Sequence, residues 1–539
     1  MFLVAMAAAH ASPQPECRKE DVALTTISDG KDILAARISR GVTTRLAIHS
    51  IDATSGVLNK PLWDIELSER TSTAPLFVGA PSFNYPGDIA PTPYSEFSHR
   101  RRNRSLVVYI GERGGVLHAF DAASGTEAAR YIPESEPPAA GVRSATAPLI
   151  DSLSMGDVFF GGRWHTVIAN AVGAEIHAIE EIGEGNADVT GISVLWKFRD
   201  LNDFDSAFTQ PVLGKLASGT WAVIFGNAPV ADAPSIAKAH GPSLYILDAE
   251  NGSLLKRIDI SAEEGTLPWS IGLSTPAVVD VNGDHVIDYA YAGDSQGNLW
   301  KFDLTSSQPE DWNVALQGTP LFRARSTDGQ PQPILSRPEV TRGSQGLGTL
   351  VLFGAGGAPM MNNSPEGQTL YAIADHDQQV DRRNLQMLAI REGVDADSGG
   401  PVRFIASATP WSVDGWHLDL PDSPGSSFER LVTVPQLRNS KVIFRTQALS
   451  IDRTCSLATT WTWMLNTLSS RTRQPDEVVA TISQEVFEGH TRRLAILQGI
   501  SNGHCIQRVY PPRIEQNERP IGLSCEAGDT GRQSWRQLR

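Results

Sequence analysis

The sequence has 539 residues, of which 41% are hydrophobic and 20% are charged, a balance typical of a folded globular protein. Its 46 basic and 61 acidic residues give a net charge of −15, which argues against a chain-wide role in binding nucleic acid or an anionic membrane. No stretch approaches 18 consecutive apolar residues, so the sequence predicts no transmembrane helix.

The first 30 residues are predicted to be an N-terminal leader, and residues 31–539 a single domain. An apolar run ends in the small-x-small pattern Ala9-His10-Ala11, which is typical of the end of a secretory signal, although no Lys or Arg precedes the run. We interpret the segment as a signal or its remnant. A mis-set start and an unstructured leader are the alternatives.

A short phrase recurs along the chain and decides the predicted fold. It consists of Ser or Thr, any residue, Pro, any residue, and an aliphatic or aromatic residue. Proline is tolerated at the start of a strand, so each copy predicts the beginning of one. The six copies have their prolines at Pro75, Pro148, Pro211, Pro276, Pro338 and Pro435.

A second phrase alternates with the first. Residues 111–121 match residues 293–303 at five fixed positions, and the Asp-Ala-x-x-Gly ending of the first copy returns at residues 248–252 and 52–56. This pattern predicts a strand, a hairpin with glycine, a second strand and a tight turn. A unit of about 60 residues made of strands and turns predicts a β-propeller blade. A β-sandwich array would repeat nearer to about 100 residues.

One loop places oxygen-bearing side chains at alternate positions. With Asp280 as position 1, Asn282, Asp284 and Asp288 stand at positions 3, 5 and 9, and Val286 at position 7 offers its backbone carbonyl. Alternate residues of a tight loop point to a common centre, and this spacing is typical of calcium loops. The loop therefore predicts one Ca²⁺ site.

Two features separate this loop from an EF-hand. Position 6 is His285, where Gly is usual, and position 12 is Tyr291, where Glu is usual. A loop between two strands is therefore the better description. The alternative is a surface hairpin without metal, because Asp, Asn and Gly favour turns in any case.

Other candidate sites are weaker. Residues 375–430 fill the longest interval between repeats and are interpreted as an insertion or an elaborated blade, in which Asp375 and Asp377 favour a solvated loop over a metal site. The basic run at residues 100–104 is interpreted as a soluble loop. Trp461 and Trp463 share one face of a strand and predict core packing. No segment shows convincing helical periodicity.

The four cysteines are too few to define a fold of this size. They are Cys17, Cys455, Cys505 and Cys525, and no Cys-x-x-Cys motif supports a zinc or redox site. A Cys505–Cys525 disulfide is predicted for an exported protein and would contribute about 3 kcal/mol. Cys455 is an equally available partner.

Several of these segments resemble one known family. They are Phe77–Pro81, Val107–Gly111, Leu117–Asp121, Gly272–Pro276, Tyr289–Asp294, Gly297–Trp300 and Ser534–Arg536. Together they resemble the C-terminal domain of the PilY family, which comprises type IV pilus biogenesis factors and tip-associated adhesins. The resemblance runs from about residue 30 to the C-terminus and is most specific over residues 272–303.

The resemblance implies a fold and a ligand set. The fold is a modified, seven-bladed, quinoprotein-like β-propeller with long loops, and its calcium loop has the form D-x-D-x-D-x-x-x-D. The resemblance implies that the calcium ligands of the family correspond here to Asp280, Asn282 (Asp in much of the family), Asp284 and Asp288. Family members carry a large N-terminal half with a von Willebrand A-like region that this sequence does not include; a fragment, a partner gene and a wrong start are the alternatives.

The same resemblance implies a non-enzymatic function. The calcium-bound form opposes pilus retraction and the released form permits it, with consequences for surface attachment, twitching motility and virulence. The implied partners are the type IV pilus machinery, minor pilins, and host or abiotic surfaces. The implied location is exported, on the cell surface, pilus-associated or at the outer membrane, with the periplasm in transit.

Two other interpretations stay open. A pyrroloquinoline-quinone-type dehydrogenase uses a similar propeller with Ca²⁺, but such enzymes often place a disulfide between adjacent cysteines against the cofactor, and no two cysteines are adjacent here. A generic propeller scaffold without a calcium function is the third interpretation.

Overall fold

Short strands separated by turns make up almost all of the computed structural model, as the repeats predict. The structure describes residues 22–28, 33–40, 43–51, 58–67, 73–112, 115–133, 153–183, 189–200, 207–228, 241–260, 272–342, 348–356, 367–394, 401–406, 412–421, 429–431, 433–438, 441–449, 457–466, 478–486, 495–501, 504–510 and 521–523. None of the helices within these ranges has the length or the apolar run needed to cross a bilayer.

The first three sheets each contain four consecutive antiparallel strands, and the fourth adds one short parallel strand to four such strands. Blade 1 contains β1 (Val22–Ser28), β2 (Ile33–Arg40), β3 (Thr44–Ile51) and β4 (Leu58–Leu67). Blade 2 contains β5 (Leu76–Val78), β6 (Val107–Gly111), β7 (Leu117–Asp121) and β8 (Glu127–Tyr131). Blade 3 contains β9 (Leu153–Phe160), β10 (Arg163–Val172), β11 (Glu175–Ile182) and β12 (Gly191–Arg199). Blade 4 contains β13 (Val212–Leu216), β14 (Trp221–Gly226), β15 (Ser243–Asp248) and β16 (Leu254–Asp259).

The later sheets are more elaborate. Blade 5 contains β17 (Ala277–Val279), β19 (Tyr289–Gly293), β20 (Asn298–Asp303), β21 (Asn313–Val314) and β22 (Phe322–Arg323), while β18 (Val286–Ile287) joins the sheet of blade 4. Blade 6 contains β23 (Glu339–Arg342), β24 (Thr349–Ala355), β25 (Thr369–Asp375), β26 (Gln386–Met387) and β29 (Gly415–Asp419). Blade 7 contains β27 (Ala389–Val394), β28 (Pro401–Ala406), β30 (Arg430–Leu431), β31 (Gln436–Arg438), β32 (Lys441–Leu449), β33 (Leu457–Asn466) and β34 (Val478–Val486).

A three-stranded sheet follows the seven blades. It contains β35 (Ala495–Ser501), β36 (His504–Tyr510) and β37 (Ile521–Leu523), and β35 contacts β1 of the first blade. The helical segments are short: α1 (Tyr94–Arg100), the helical turn α2 (Ala315–Gly318), and 3-10 turns at Pro309–Asp311 and Arg382–Asn384. The predicted all-β, seven-bladed propeller is confirmed.

The Ser/Thr-x-Pro phrase begins equivalent strands. Five of the six copies lie within the described residues, and in each of these a strand begins at the residue after the proline; in four of them it is the first strand of its sheet, and after Pro435 it is β31, which pairs with β32. The first strands of neighbouring blades contact one another, as β5 contacts β9 and β9 contacts β13, so these strands surround the propeller axis. The copy at Pro148 lies outside the described residues.

The hydroxyl group of that phrase explains its recurrence. The Oγ1 of Thr209 accepts a hydrogen bond from the backbone N–H of Gly226 at 2.8 Å, and the backbone N–H of Thr209 donates to the Gly226 carbonyl. The same hydroxyl-to-backbone bond recurs at Thr73 with Gly111, Ser274 with Gly293 and Thr433 with Arg445. Each bond ties the start of the strand that follows the proline to the strand that pairs with it.

The Asp-Ala-x-x-Gly turn fastens one blade to the previous one. Trp63 of β4 donates its indole N–H to the carbonyl of Ala122 at 2.8 Å, and Trp196 of β12 does the same to Ala249 at 2.9 Å. A Cβ at Gly252 would lie 2.6 Å from the Trp196 ring, and its φ of +73° also favours glycine. Glycine is required because the indole lies flat on the turn.

Inner strands of blades 2 and 4 are continuous apolar runs. All six residues of β14 and all five of β6 are buried, because each sheet packs against a neighbour on both faces. The predicted core residues Trp461 and Trp463 are buried in β33, where the Arg403 guanidinium lies over both rings. That packing prediction is confirmed.

Other sequence predictions have different outcomes. Strand β1 lies inside residues 1–30, the segment predicted as a leader, and pairs with β2 along its whole length. The basic run forms the end of α1 and the turn after it, and Arg104 is buried with Glu181 at 2.8 Å instead of lying in a soluble loop. The side chain of Cys505 and the other three cysteines lie outside the described residues, so the disulfide stays a prediction.

Candidate metal-binding loop

The predicted calcium loop connects the first and second strands of blade 5. Residues 280–288 separate β17 from β19, and the Asp288 N–H closes the loop by donating to the Val279 carbonyl at 2.8 Å. The end of the loop forms β18, which pairs in parallel with β13 of blade 4, with Val286 opposite Lys215. The loop is therefore fixed to two blades.

The apolar residue Ile287 anchors the loop in the core. Its side chain is 3% exposed and belongs to the cluster between blades 4 and 5. A Cβ at Gly214 would lie 2.5 Å from its Cδ1 atom, so the close approach of β18 to β13 depends on a glycine. The acidic residues thus precede and follow a firmly packed segment.

Asp280 organises the first half of the loop. The side chain is 1% exposed, and its two carboxylate oxygens accept the backbone N–H groups of Gly283 at 2.5 Å and His285 at 2.9 Å. His285 has a φ of +65°, the left-handed region that usually favours glycine. The residue at position 6 therefore adopts the backbone conformation that explains the usual glycine there.

Asn282 and Asp284 lie on the exposed side of the loop. The Asn282 Oδ1 atom accepts the Asp284 N–H at 2.8 Å, and the Asn282 amide donates to Asp284 Oδ2 at 3.1 Å. Asp284 Oδ1 accepts the Val286 N–H at 2.8 Å. Because both side chains are exposed, they can rotate at little cost in packing.

Asp288, immediately before β19, is the last of the predicted side-chain ligands. It is 8% exposed, and its Oδ2 atom accepts the Val281 N–H at 2.7 Å across the mouth of the loop. Burial raises the pKa of the Asp288 carboxyl above its usual range, and the negative charges of Asp284 and Asp280 raise it further. The three carboxylates are therefore close enough to repel one another.

The donor set fits a hard cation in its chemistry. Three carboxylates, one amide and the Val286 carbonyl are all oxygen ligands, the type that Ca²⁺ prefers. Within the described part of the chain, no three His, Cys, Asp or Glu side chains already stand in a metal-binding arrangement. Binding would thus require Asn282 and Asp284 to turn toward Asp280 and Asp288.

An aromatic insert lies against the loop. Residues 79–106 connect β5 to β6 and include α1, and the Tyr85 ring contacts the edge of the His285 ring at 5.8 Å between centroids. Tyr85 also stacks on Trp164 at 5.4 Å, and the Lys215 ammonium donates to the Ile89 carbonyl of the same insert. The sequence interpretation missed this insert, although four aromatic residues within residues 83–97 were a signal for it.

A neighbouring arginine approaches from blade 6. The Arg342 guanidinium donates to the Val281 carbonyl at 2.7 Å. The loop therefore contacts blade 4 through β18, blade 6 through Arg342 and the insert of blade 2 through His285.

The second candidate metal pair serves a different purpose. Asp375 is buried and accepts the Tyr291 hydroxyl at 2.6 Å and the Lys301 ammonium at 2.7 Å, and Lys301 also contacts Asp377 at 2.5 Å. A lysine occupies the position that a metal would need. Asp375 is thus part of an ion-paired core instead of a solvated loop, and Asp377 alone is exposed.

Comparison with known proteins shows which family the chain is similar to. A family model described as the PilY1 beta-propeller domain matches residues 150–389. The type IV pilus biogenesis factor PilY1 homolog of Xylella fastidiosa (strain Temecula1 / ATCC 700964) is 30% identical over 413 residues, which cover 70% of this chain and 27% of that protein. The type IV pilus biogenesis factor PilY1 of Pseudomonas aeruginosa (strain UCBPP-PA14) is 27% identical over 433 residues, covering 69% and 36%.

A solved structure shows the same fold. The crystal structure of the Pseudomonas aeruginosa PilY1 C-terminal domain superposes with a TM-score of 0.62 at 23% identity, covering 83% of this chain and 99% of that one. The chain spans about a third or less of the length of these curated relatives. The chain belongs to the PilY family and carries its C-terminal β-propeller domain.

Proposed function

We propose that this chain is a calcium-binding module that acts in type IV pilus biogenesis. One Ca²⁺ would be held by Asp280, Asn282, Asp284, Asp288 and the carbonyl of Val286. The observation that supports this most strongly is geometric: a connection of nine residues carries three carboxylates, and two of them, Asp280 and Asp288, are buried. Each of these acids also accepts a backbone N–H group of the loop, but three negative charges so close together favour a bound cation.

Calcium would change how the loop presents itself. The cation removes the repulsion among the carboxylates and draws the exposed Asn282 and Asp284 toward the buried pair. The blades keep their own cores, so the change is confined to the loop and its contacts with Tyr85 and Arg342. A partner that distinguishes the two loop states would bind one of them more tightly.

The relatives supply the biological setting. They are named type IV pilus biogenesis factors, and we assign this chain to the same process, with the pilus machinery and minor pilins as partners. In this proposal the calcium-bound loop opposes retraction of the pilus and the free loop permits it, which alters surface attachment and twitching motility. The module is exported, acts at the cell surface and catalyses no reaction.

Asp288→Ala tests the proposal. We expect calorimetry to show no calcium binding, a nearly unchanged far-UV spectrum, and altered surface piliation or twitching in the source organism. The matched control is Asp248→Ala, which removes a turn carboxylate that accepts the Glu250 N–H at 2.7 Å but lies in blade 4. Full calcium affinity in Asp288→Ala would refute the ligand set. Normal pili and motility in a strain that has lost calcium binding would refute the regulatory role alone.

A further inference from the structure

A groove lies between blades 1 and 2 of the propeller. Its volume is about 480 Å³. One wall is formed by β4, with Ile65 and Leu67, and the other by β7 and the residues around it, with His118 and Phe120. Ile132, just after β8, lies at its mouth with 64% of its surface exposed.

The equivalent junction between blades 3 and 4 is closed. Register shows the equivalence, because His118 pairs with Arg130 in blade 2 as Tyr245 pairs with Arg257 in blade 4. Tyr245 is fully buried, its ring lies 5.1 Å from the Arg257 guanidinium, and its hydroxyl donates to Asp200 at 3.0 Å. A large aromatic side chain thus fills the space that the smaller His118 leaves open.

The preceding blade contributes to the same difference. Trp63 and Trp196 occupy equivalent positions, since each donates to the alanine carbonyl of the following blade. Four residues after Trp196 stands Asp200, which accepts from Tyr245 and pairs with Arg257 at 2.8 Å. Four residues after Trp63 stands Leu67. The open groove therefore has the aliphatic Leu67 at the position where the closed junction has Asp200, which accepts the hydrogen bond of Tyr245.

The described lining of the groove is acidic. Arg130 is already held by Glu127, with two hydrogen bonds at 2.8 and 2.7 Å, and His118 lies between Glu127 at 2.7 Å and Glu112 at 3.3 Å. Glu66 projects from β4 with 61% of its side chain exposed. Arg45 is 3.9 Å from Glu66 but pairs more closely with Asp64, at 3.0 Å. Glu66 and Glu112 therefore leave an excess of negative charge.

The strand of one wall, β4, is a sheet edge, and β8, which pairs with the β7 wall, is another. In the described residues β4 is the last strand of its sheet and β8 is the last strand of the next one. Edge strands present backbone N–H and C=O groups that pair readily with an added strand. The groove combines such edges with aliphatic walls and unbalanced carboxylates.

We propose that this groove binds an extended segment of a partner protein in which Lys or Arg side chains alternate with aliphatic ones. Because successive side chains of an extended segment point to opposite faces, the aliphatic ones pack on Ile65 and Leu67 in the groove, and the cations pair with Glu66 on the opposite face of β4. The proposal depends on blades 1 and 2 alone and is independent of the calcium loop.

The test uses the peptide Lys-Val-Lys-Val-Lys and its acidic counterpart Glu-Val-Glu-Val-Glu as the control probe. We expect fluorescence anisotropy to show saturable binding of the basic peptide to the whole chain, weakened at high salt, and no binding of the acidic one. His118→Tyr, which copies the closed junction, should weaken binding at least about tenfold. Glu66→Lys should weaken it too, whereas Glu96→Lys on α1 should not.

Two results would overturn the proposal. One is equal binding of the basic and acidic peptides or binding of neither. The other is unchanged affinity in both His118→Tyr and Glu66→Lys, each checked for a wild-type melting temperature. If His118→Tyr does not fold, Glu66→Lys and Ile132→Asp decide the matter, because both positions are exposed and neither is needed for the core.

Discussion

Blades 4 and 5 make the same strand connection in two ways. In blade 4, residues 216–220 turn the chain with two backbone hydrogen bonds, from Leu216 to Thr220 and from Gly219 to Leu216, and without a carboxylate. In blade 5, residues 280–288 make the corresponding connection and carry three carboxylates. A short connection thus forms without acids, whereas in the longer one the carboxylates hold the loop by accepting backbone N–H groups, and the proposal gives them calcium as a second role.

The same comparison divides the longer connection into two parts. Residues 280–284 hold the exposed or hydrogen-bonded polar groups, whereas Ile287 packs on Gly214 and pairs with blade 4. In our proposal the first part changes when calcium binds, and the second fixes the loop in place. Variants of each part should consequently affect different measurements.

Exchanging the two connections should have the largest effect. Replacing residues 280–288 with Leu-Ala-Ser-Gly-Thr, the sequence of residues 216–220, removes every proposed ligand. We expect the calcium-dependent rise in melting temperature to disappear. In the wild type, calcium at 100 times its Kd should stabilise the folded state by about 2.7 kcal/mol. Melting curves with calcium and with EGTA measure it. A calcium response that survives the exchange would place the site elsewhere.

Removing the anchor should affect stability and spare the binding stoichiometry. Ile287→Ala deletes a buried side chain between two blades, which should cost about 2–4 kcal/mol of unfolding free energy in urea. Calorimetry should still give one calcium per chain, because no ligand is lost. A loss of calcium binding together with an unchanged unfolding free energy would reverse the two roles.

The feature that both blades share should give the smallest and most equal effects. Thr209→Ala and Ser274→Ala each remove the hydroxyl that accepts a buried glycine N–H, at 2.8 and 2.9 Å. We expect each to cost about 1–3 kcal/mol, with similar values in blades 4 and 5 and no change in calcium binding. Urea unfolding measures both, and a large cost in one blade alone would mean that the two bonds are not equivalent.

The repeats predicted the blades because their chemistry is local. A proline, a hydroxyl and a glycine N–H lie within one blade, so spacing along the chain identifies the first strand of each sheet. The alternating oxygens of the Asp280 loop are local in the same way. The position of each candidate ligand in one short connection was therefore predictable.

What the sequence did not reveal depends on distant partners. Strand β18 pairs with β13, about 70 residues earlier, because Ile287 fits against Gly214. Helix α1 has seven residues, too few for a helical period, and it is fixed by the Tyr94 hydroxyl, which donates to the buried Asp157 at 2.6 Å. Arg104 similarly acquires its role only from Glu181.

The most direct test of the central claim is a calorimetric calcium titration of the wild-type chain beside Asp288→Asn. Asparagine keeps an oxygen that accepts the Val281 N–H and removes one charge, so the loop retains its closing hydrogen bond. We predict one Ca²⁺ per wild-type chain with a Kd between about 10⁻⁷ and 10⁻³ M, and a much weaker site in the variant. Absence of binding in the wild type, or equal affinity in both chains, would contradict the assignment of residues 280–288 as a calcium site.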